Sequence, residues 1–379
     1  MKYIVNGVIV LKDGELRGYA LGFDEKIREI CPLEAVCGDA EKIDAQGGYI
    51  LPGLIDVHIH GYLGEDTSNA DSEGVRKMAA GLIKNGVTAF LPTTMTVAKE
   101  QIDASVESVR VLIEESKSWF GSQILGVHAE GPFINAKRKG AQDERCIIPP
   151  DADWIIKNSD VIKYITLAPE VDEGFAAIRA MTEAGIAVSM GHTDADFETA
   201  AAAVEAGVRS TTHLFNAMSP MSHRSPGVVG AALTKDVYVE LIADTFHVDK
   251  ALFPLVARAK GDKLIIVTDC LPAGGLPLGT YTLGGQPFVA TETVCRLPDG
   301  TIAGSIMPLN RGVKNLWENT NLPLWESVRC ASLNPAQMLG IDGEKGSLEV
   351  GKDADIVIAN SSLGIEKVII SGSERYSAE

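Results

Sequence analysis

The spacing of the hydrophobic positions changes near residue 52, and this change divides the chain. Before that point, short apolar runs at 3–5 and 8–11 are separated by turn residues, without a helical period of useful length. The pair Asn6-Gly7 stands between these two runs and is typical of a two-residue hairpin turn. The first 51 residues therefore predict a small β unit, which is too small to be stable unless it packs against another part of the chain.

From residue 52 onwards, short apolar segments alternate with longer amphipathic ones. We predict strands at 53–59, 87–92, 123–129, 162–168, 186–191, 208–212, 237–242 and 263–268. Helices are predicted between them, most clearly at 72–85, 98–117, 174–184 and 195–206. Eight strands that alternate with helices favour parallel pairing and a closed (β/α)8 TIM barrel. An open, doubly wound sheet is the alternative.

The pattern is interrupted at residues 270–305, where glycine and proline punctuate short strand-like pieces and predict a β-hairpin excursion. Helical segments return at 308–320 and 324–333, and the tail beyond residue 343 again has the pattern of strands. We therefore predict two domains. Residues 1–51 together with 343–379 would form a small β-sandwich from both chain ends, and residues 52–342 would form the barrel.

Composition excludes several classes of partner. The 379-residue chain has a formal net charge of −17, which argues against nucleic acid, although a small anionic substrate needs only a local group of cations. The chain contains no run of eighteen apolar residues, so no membrane span is predicted. The first residues do not have the pattern of a signal peptide. The six cysteines are scattered and predict reduced thiols. These features favour a cytoplasmic protein.

Candidate chemistry is concentrated where the predicted strands end. His58 and His60 are two residues apart on the first strand, so their side chains point to the same face. Other histidines and carboxylates follow later strands, and the carboxyl ends of barrel strands converge on one mouth. The full set is His58, His60, Glu130, His192, His213, His247 and Asp269.

Most of these residues are ligands that zinc and iron(II) accept, and their joint placement predicts a metal site at the mouth. Taken singly, each residue has an ordinary alternative as a core histidine, a helix cap or an ion-pair partner. The part played by His247 stays open at this point. His128 could support the site or belong to the core, and His223 could be a surface residue.

Several of these residues stand in longer motifs that resemble known enzymes. Residues 52–61 (PGLIDVHIHG) are similar to the first-strand motif of the amidohydrolase superfamily. More specific motifs are HAEGPF at 128–133, GHT at 191–193, HLFNAM at 213–218 and GS at 304–305. Together they resemble the family of N-acetylglucosamine-6-phosphate deacetylases, and the likeness extends over nearly the whole chain.

The resemblance implies a metal-dependent hydrolase of amino-sugar catabolism, acting on a phosphorylated N-acetyl amino sugar. It implies that Glu130, His192 and His213 bind the metal common to the family. Because His58 and His60 are both present, it allows a second ion, so one or two divalent ions, zinc or iron, are expected per subunit.

The same resemblance assigns roles in the reaction. Asp269 matches the catalytic acid and base, and His247 matches the residue that contacts the acetyl carbonyl. A homodimer is implied, in which Arg224 reaches the neighbouring subunit's site. The implied substrate contacts are Ala141, Asn216, Ala217, Arg224, His247, Ile302, Ala303 and Gly304.

Three alternatives remain open at the level of sequence. A deacetylase of another sugar phosphate, such as N-acetylgalactosamine 6-phosphate, would use the same ligands. A cyclic-amide hydrolase of the dihydroorotase kind would bridge its metals with a modified lysine on strand four, and residues 164–169 contain none. A non-catalytic barrel protein would be expected to have lost ligands or Asp269, and this chain retains them.

Overall fold

The computed structural model describes residues 1–292 and 294–378. Its centre is a barrel of parallel strands, each paired with its neighbours in chain order. A parallel bridge between Ile59 and Cys270 joins the last strand region to the first. The first to eighth barrel strands are Leu54–Ile59, Val87–Thr94, Val127–Glu130, Ile162–Leu167, Ala187–Met190, Ser210–Thr211, Tyr238–Ile242 and Leu264–Val267. The predicted barrel is confirmed, and the open sheet is wrong.

Two of the predicted strands differ from those observed. The segment predicted as one strand at 123–129 consists of Gln123–Ile124, which pairs with the second barrel strand, and the third barrel strand. Gly126 separates them, because its φ of 141° lies outside the range of a regular strand. The sixth barrel strand is reduced to Ser210–Thr211, since the chain turns at His213, whose φ is 28°.

Helices cover the outside of the barrel. Those predicted at 72–85, 98–117, 174–184 and 195–206 are confirmed, with ends that differ by a few residues. The helix predicted at 324–333 ends at Arg329, and a second helix begins at Leu333. Within the described residues, no helix is both long and apolar enough to cross a bilayer. The helices are Ser72–Leu82, Lys99–Ser116, Ala152–Ile156, Ala176–Glu183, Phe197–Ala206, Gly227–Thr234, Phe253–Lys260, Leu309–Glu318, Leu324–Arg329 and Leu333–Leu339.

The two chain ends form a pair of packed sheets beside the barrel. The six-stranded sheet has the order Ser373–Ser377, Ile365–Ile370, Ile356–Ala359, Tyr49–Pro52, Val8–Leu11 and Gly14–Leu16. The four-stranded sheet has the order Ile27–Pro32, Tyr19–Phe23, Lys2–Val5 and Glu41–Asp44. A buried apolar cluster that includes Ile4, Ile9, Phe23, Ile50 and Ile356 lies between them. This is the predicted β-sandwich, while the domain boundaries at 51/52 and 342/343 stay a prediction.

The predicted hairpin at Asn6-Gly7 is wrong. Lys2–Val5 pairs with strands of the four-stranded sheet, and Val8–Leu11 pairs with strands of the six-stranded sheet. The Asn-Gly pair therefore carries the chain from one layer of the sandwich to the other. A Cβ atom on Gly7 would lie 2.8 Å from Cβ of Ala45, so the crossing requires a residue without a side chain.

The excursion after the eighth barrel strand is an antiparallel sheet, as predicted. Its strands are Gly279–Leu283, Gln286–Ala290, Cys295–Arg296 and Ile302–Gly304. The Gln286 side chain donates to the Ala141 carbonyl at 3.0 Å, and the Gly284 amide donates to Asp66 at 2.7 Å. These bonds hold the sheet over the carboxyl ends of the barrel strands. A small hairpin of Gly61–Tyr62 and Glu65–Asp66 lies nearby.

Candidate metal centre and active site

A cavity of about 450 Å³ opens at the carboxyl ends of the barrel strands. Its walls come from the loops after several barrel strands and from the antiparallel sheet of residues 279–304. The volume is within the range of pockets that bind small molecules. Six of the seven strand-end residues singled out in the sequence contribute directly to its lining, and the seventh, His58, lies buried beneath.

Glu130, His192 and His213 form one group of potential metal ligands, which we call the Glu130 cluster. Oε1 of Glu130 lies 3.2 Å from Nε2 of His192 and 3.1 Å from Nε2 of His213. The two Nε2 atoms are themselves 3.1 Å apart. All three residues are buried, and donor atoms this close together leave no room for a water molecule between them.

His58, His60 and Asp269 form the second group, the His58 cluster. The two Nε2 atoms are 3.4 Å apart. Oδ1 of Asp269 lies 3.4 Å from Nε2 of His60 and 3.7 Å from Nε2 of His58. His58 lies in the first barrel strand, His60 follows its last residue, and the turn after the eighth strand supplies the carboxylate.

The spacing in both clusters fits a divalent ion. Metal–ligand bonds of 2.0–2.1 Å in a tetrahedral site separate neighbouring ligand atoms by about 3.3 Å. The observed separations are 3.1–3.2 Å in the Glu130 cluster and 3.4–3.7 Å in the His58 cluster. Several imidazole nitrogens that point at one another also cannot all be satisfied by mutual hydrogen bonds, whereas a cation between them satisfies all of them.

Glu130 lies between the clusters. Its Oε1 is 3.2 Å from Nε2 of His58, and its Oε2 is 3.1 Å from Nε2 of His60, so the carboxylate could bridge two ions. Burial raises the pKa of Glu130, but the neighbouring imidazoles more than offset this effect and hold it well below its usual range. The buried Gln142 side chain donates to Oε2 and accepts from the Thr96 amide, which orients the carboxylate.

The outer nitrogens of the imidazoles have acceptors that orient the rings. Nδ1 of His58 lies 2.9 Å from Oε2 of Glu240, and Nδ1 of His60 lies 3.2 Å from the Thr93 carbonyl. Nδ1 of His192 lies 2.9 Å from the Arg138 carbonyl. With the proton on Nδ1, each ring presents the lone pair of Nε2 to an ion. His213 differs, because its buried Nδ1 has no hydrogen-bond partner in the described part of the chain.

Three of the potential ligands have a left-handed backbone. The φ angles are 47° at His192, 28° at His213 and 46° at Asp269, a region that costs free energy for residues with a side chain. Each residue lies two positions beyond the end of a barrel strand. Main-chain bonds hold Asp269 there, since its amide donates to the His58 carbonyl and its carbonyl accepts from the Ser305 amide, both at 2.9 Å. The turns direct the side chains into the mouth.

His247 faces the cavity from the loop after the seventh barrel strand. Its Nδ1 lies 2.6 Å from Oδ2 of Asp244, whose Oδ1 accepts from the amides of Phe246 and His247. Burial lowers the pKa of His247, but the bond to Asp244 outweighs this effect and raises it above the usual value. The imidazolium, with a donor on both nitrogens, therefore persists to a higher pH than in a free imidazole.

The residues predicted to contact the substrate fall into two groups. The larger group lines the cavity: Ala141, Asn216, Ala217, His247, Ile302, Ala303 and Gly304. Arg224 lies instead on an exposed loop outside the lining of this chain's own cavity. Its predicted role at the neighbouring subunit's site stays a prediction.

Several residues at the site were not identified from the sequence. Glu240 could have been singled out from the sequence, because it is a charged residue within an apolar strand. The sequence gives little reason to single out Gln142, Asp244 and Arg296, since they lie in loops or at the edge of a short strand, where polar residues are common. Arg296 lines the mouth of the cavity, and its guanidinium also donates to the Gly300 carbonyl at 2.6 Å.

The structure also separates the two histidines whose roles were open. His128 lies next to the site: its Nε2 is 2.8 Å from Oγ1 of Thr166, and its ring centroid is 4.6 Å from that of His58. It therefore packs behind a potential ligand. His223 is an exposed loop residue.

Comparisons with known proteins agree with this geometry. The model of the Amidohydrolase family matches residues 49–375. The N-acetylglucosamine-6-phosphate deacetylase of Bacillus subtilis (strain 168) is 42% identical over 380 residues, which cover 98% of this chain and 96% of that protein. The human protein of the same name is 37% identical over 356 residues, covering 89% and 86% of the two chains.

Solved structures give the same result. The crystal structure of N-acetylglucosamine-6-phosphate deacetylase from Pasteurella multocida has a TM-score of 0.95 at 33% identity and covers 100% of both chains. A mutant of the Mycobacterium smegmatis enzyme, in complex with N-acetyl-D-glucosamine-6-phosphate, has a TM-score of 0.93 at 27% identity and covers 99% of both chains.

Proposed function

The chain belongs to the amidohydrolase family, and from this premise we propose that it hydrolyses N-acetyl-D-glucosamine 6-phosphate to D-glucosamine 6-phosphate and acetate. The observation that carries the proposal is that both ligand clusters, one of which includes Asp269, converge with His247 on one cavity of substrate size. Relatives that bear the name of this activity, at 37% and 42% identity over most of the chain, support the choice of substrate. The proposed setting is amino-sugar catabolism in the cytoplasm.

We propose one or two zinc or iron(II) ions per subunit, because imidazole nitrogen and carboxylate oxygen suit both metals. Glu130, His192 and His213 would hold the first ion, and His58, His60 and Asp269 would hold the second, with Glu130 shared. A bound ion of this kind supplies Lewis acidity and lowers the pKa of water to about 7.

The residues of the chain supply the proton transfers. Asp269 lines the cavity and can accept the proton of the attacking water as general base. The same carboxyl group can then deliver this proton to the nitrogen of the departing amine, which is otherwise a poor leaving group.

His247 supplies electrostatic stabilisation. Its Nδ1–H is directed to Asp244, and the raised pKa of its imidazole favours a second proton on Nε2. That second N–H can donate to the acetyl oxygen as it acquires negative charge in the transition state.

The phosphate of the substrate requires cations near the mouth of an otherwise acidic protein. We propose a homodimer in which Arg224 of one subunit holds the phosphate in the site of the other, because guanidinium binds phosphate oxygens bidentately. The exposure of the Arg224 loop supports this arrangement. Arg296, which lines the cavity of its own chain, is a second cation within reach of an anionic substrate.

The test measures acetate release together with metal content. Protein purified without added metal would be assayed with N-acetylglucosamine 6-phosphate, and its ions counted by elemental analysis. We expect stoichiometric acetate and at least one equivalent of zinc or iron per subunit. Protein with neither bound metal nor acetate release would contradict the proposal.

A parallel assay with N-acetylgalactosamine 6-phosphate addresses the alternative substrate, since the same ligands would serve both sugars. A higher kcat/KM for that compound would transfer the proposal to it. The cyclic-amide alternative is less favoured, because Glu130 occupies the position between the clusters. The lysine of the fourth barrel strand, Lys163, donates to the Ser159 carbonyl near the opposite end of that strand.

A further inference from the structure

Glu240 is a fully buried carboxylate inside the barrel that the proposed reaction does not use. It lies in the middle of the seventh barrel strand, among apolar neighbours, and its relative exposure is 0%. Its Oε1 accepts from the Tyr164 hydroxyl at 2.7 Å. Its Oε2 accepts from the His213 amide at 3.1 Å and lies 2.9 Å from Nδ1 of His58. One carboxylate therefore contacts a member of each ligand cluster.

We propose that Glu240 is a positioning residue that determines whether the His58 cluster holds an ion. The inference rests on the metal sites of the proposed function and concerns their occupancy. The ligand set alone allows either one ion or two, and the proposal names the residue on which the second ion depends.

The argument begins with the proton on His58. A neutral imidazole carries one proton, and only the nitrogen without it can bind a metal. Because the amide of His213 can only donate, Oε2 of Glu240 is an acceptor, and it accepts from Nδ1–H of His58 as well. The lone pair of Nε2 is then directed at His60 and Glu130, where an ion would lie.

The contact with the other cluster is of a different kind. Glu240 reaches His213 through the main-chain amide, at a residue whose φ is 28°. Loss of this bond would relax a backbone turn but would leave the proton of the His213 imidazole unchanged. Removal of the carboxylate should therefore weaken the His58 cluster more than the Glu130 cluster.

Two substitutions separate hydrogen bonding from charge. In Glu240→Gln the amide oxygen can still accept from His58 and His213, while the amide nitrogen can donate to the Tyr164 oxygen. In Glu240→Met the side chain keeps its length, but its thioether is only a weak acceptor, so the His58 proton is free to move to Nε2. Tyr164→Phe is the matched control, because it removes a bond to the same carboxylate without touching either cluster.

The experiment titrates metal-free protein with cobalt(II) and follows the visible absorption of the bound ion. The parent is expected to bind two equivalents. Glu240→Met should bind cobalt at the His58 cluster about 10–100-fold more weakly. Its spectrum at one equivalent should match that of His60→Gln, which retains only the Glu130 cluster. Glu240→Gln and Tyr164→Phe should bind two equivalents with nearly parental affinity.

If Glu240→Met does not fold by circular dichroism, Glu240→Asp replaces it. Shortening the side chain by one methylene, about 1.5 Å, withdraws the acceptor from His58 and should weaken the same site. Parental binding of both ions by the shortened or apolar variant would overturn the proposal. Equal weakening of both sites, or a Glu240→Gln variant as weak as Glu240→Met, would overturn it too.

The outcome is independent of the deacetylase activity. Two cobalt equivalents without acetate release would contradict the proposed function and leave the inference standing. A parent that binds one equivalent and releases acetate would support the function and overturn the inference.

Discussion

The two ligand clusters contain similar atoms but are built in different ways. In the His58 cluster, one imidazole lies in the first barrel strand and the other directly after its end, and they point the same way because alternate residues of an extended chain share a face. In the Glu130 cluster, each ligand comes from a different barrel strand, and both histidines have a left-handed backbone. The common direction of the two imidazoles follows from local strand geometry, whereas the Glu130 cluster, like the position of Asp269, exists only after the barrel has assembled.

The two clusters also differ in the groups that orient their imidazoles. Nδ1 of His58 depends on a side-chain carboxylate, Glu240, which a single substitution can remove. His192 is oriented instead by the main-chain carbonyl of Arg138, which every substitution at that position keeps. We therefore expect the Glu130 cluster to be the more robust ion site and the His58 cluster to be the adjustable one.

The strongest test of this contrast removes one imidazole from each cluster. We expect His192→Gln to lower kcat/KM by on the order of 10⁴-fold, because loss of a metal's Lewis acidity costs several kcal/mol. His60→Gln should keep one ion and lose on the order of tenfold. Acetate release and metal analysis of both variants check this. Equal losses in the two variants would remove the distinction between the clusters.

The next effect concerns Asp269, which belongs to the His58 cluster and is also the proposed base. Asp269→Asn should fold and retain the ion of the Glu130 cluster, but kcat should fall by on the order of 10³-fold because proton transfer is lost. Steady-state kinetics and elemental analysis measure the two quantities. Near-normal turnover by this variant would exclude Asp269 as the base.

His247 lies outside both clusters, so its substitution should lower turnover without changing the metal content. Its pKa is raised by Asp244, and the nearby Asp269 acts in the same direction, so the imidazolium is present below this pKa and is lost as pH rises through it. His247→Gln should lower kcat/KM by about 10²-fold. The same substitution should also flatten the decline of kcat/KM at alkaline pH. A change in metal content would instead mean that His247 supports an ion.

The smallest effect is expected at Arg224. Arg224→Ala should raise KM for N-acetylglucosamine 6-phosphate by about tenfold, since one charge-assisted contact contributes about 1.5–3 kcal/mol at most. KM for unphosphorylated N-acetylglucosamine should stay constant. The matched variant is Arg296→Ala, which removes the cation that lines the cavity of the same chain. An unchanged ratio of the two KM values after Arg224→Ala would remove this residue from phosphate binding.

The barrel could be predicted from the sequence because periodicity and local turn chemistry agree. The alternation of strands and helices from residue 52 indicated eight parallel strands, and barrel geometry then brought the strand-end residues to one mouth. The common face of His58 and His60 followed from strand geometry alone. In the structure their Nε2 atoms are 3.4 Å apart.

Other features depend on packing that no local pattern contains. Asn6-Gly7 has the local chemistry of a hairpin, yet the chain crosses between two sheets there, because burial of both strands in the sandwich outweighs the turn preference. The partners of Glu240 lie 182, 76 and 27 residues away along the chain. Its charge was visible in an apolar strand, but its contacts could not be inferred without the closed barrel.

The six-stranded sheet has a consequence for synthesis on the ribosome. Tyr49–Pro52 precedes the first barrel strand, but its antiparallel neighbour, Ile356–Ala359, is made roughly 300 residues later. At 5–20 residues per second, the edge of Tyr49–Pro52 stays unpaired for roughly 15–60 s. An exposed strand edge invites pairing with other chains. The nascent polypeptide therefore passes through an interval in which its barrel can assemble while the sheet at its side remains incomplete.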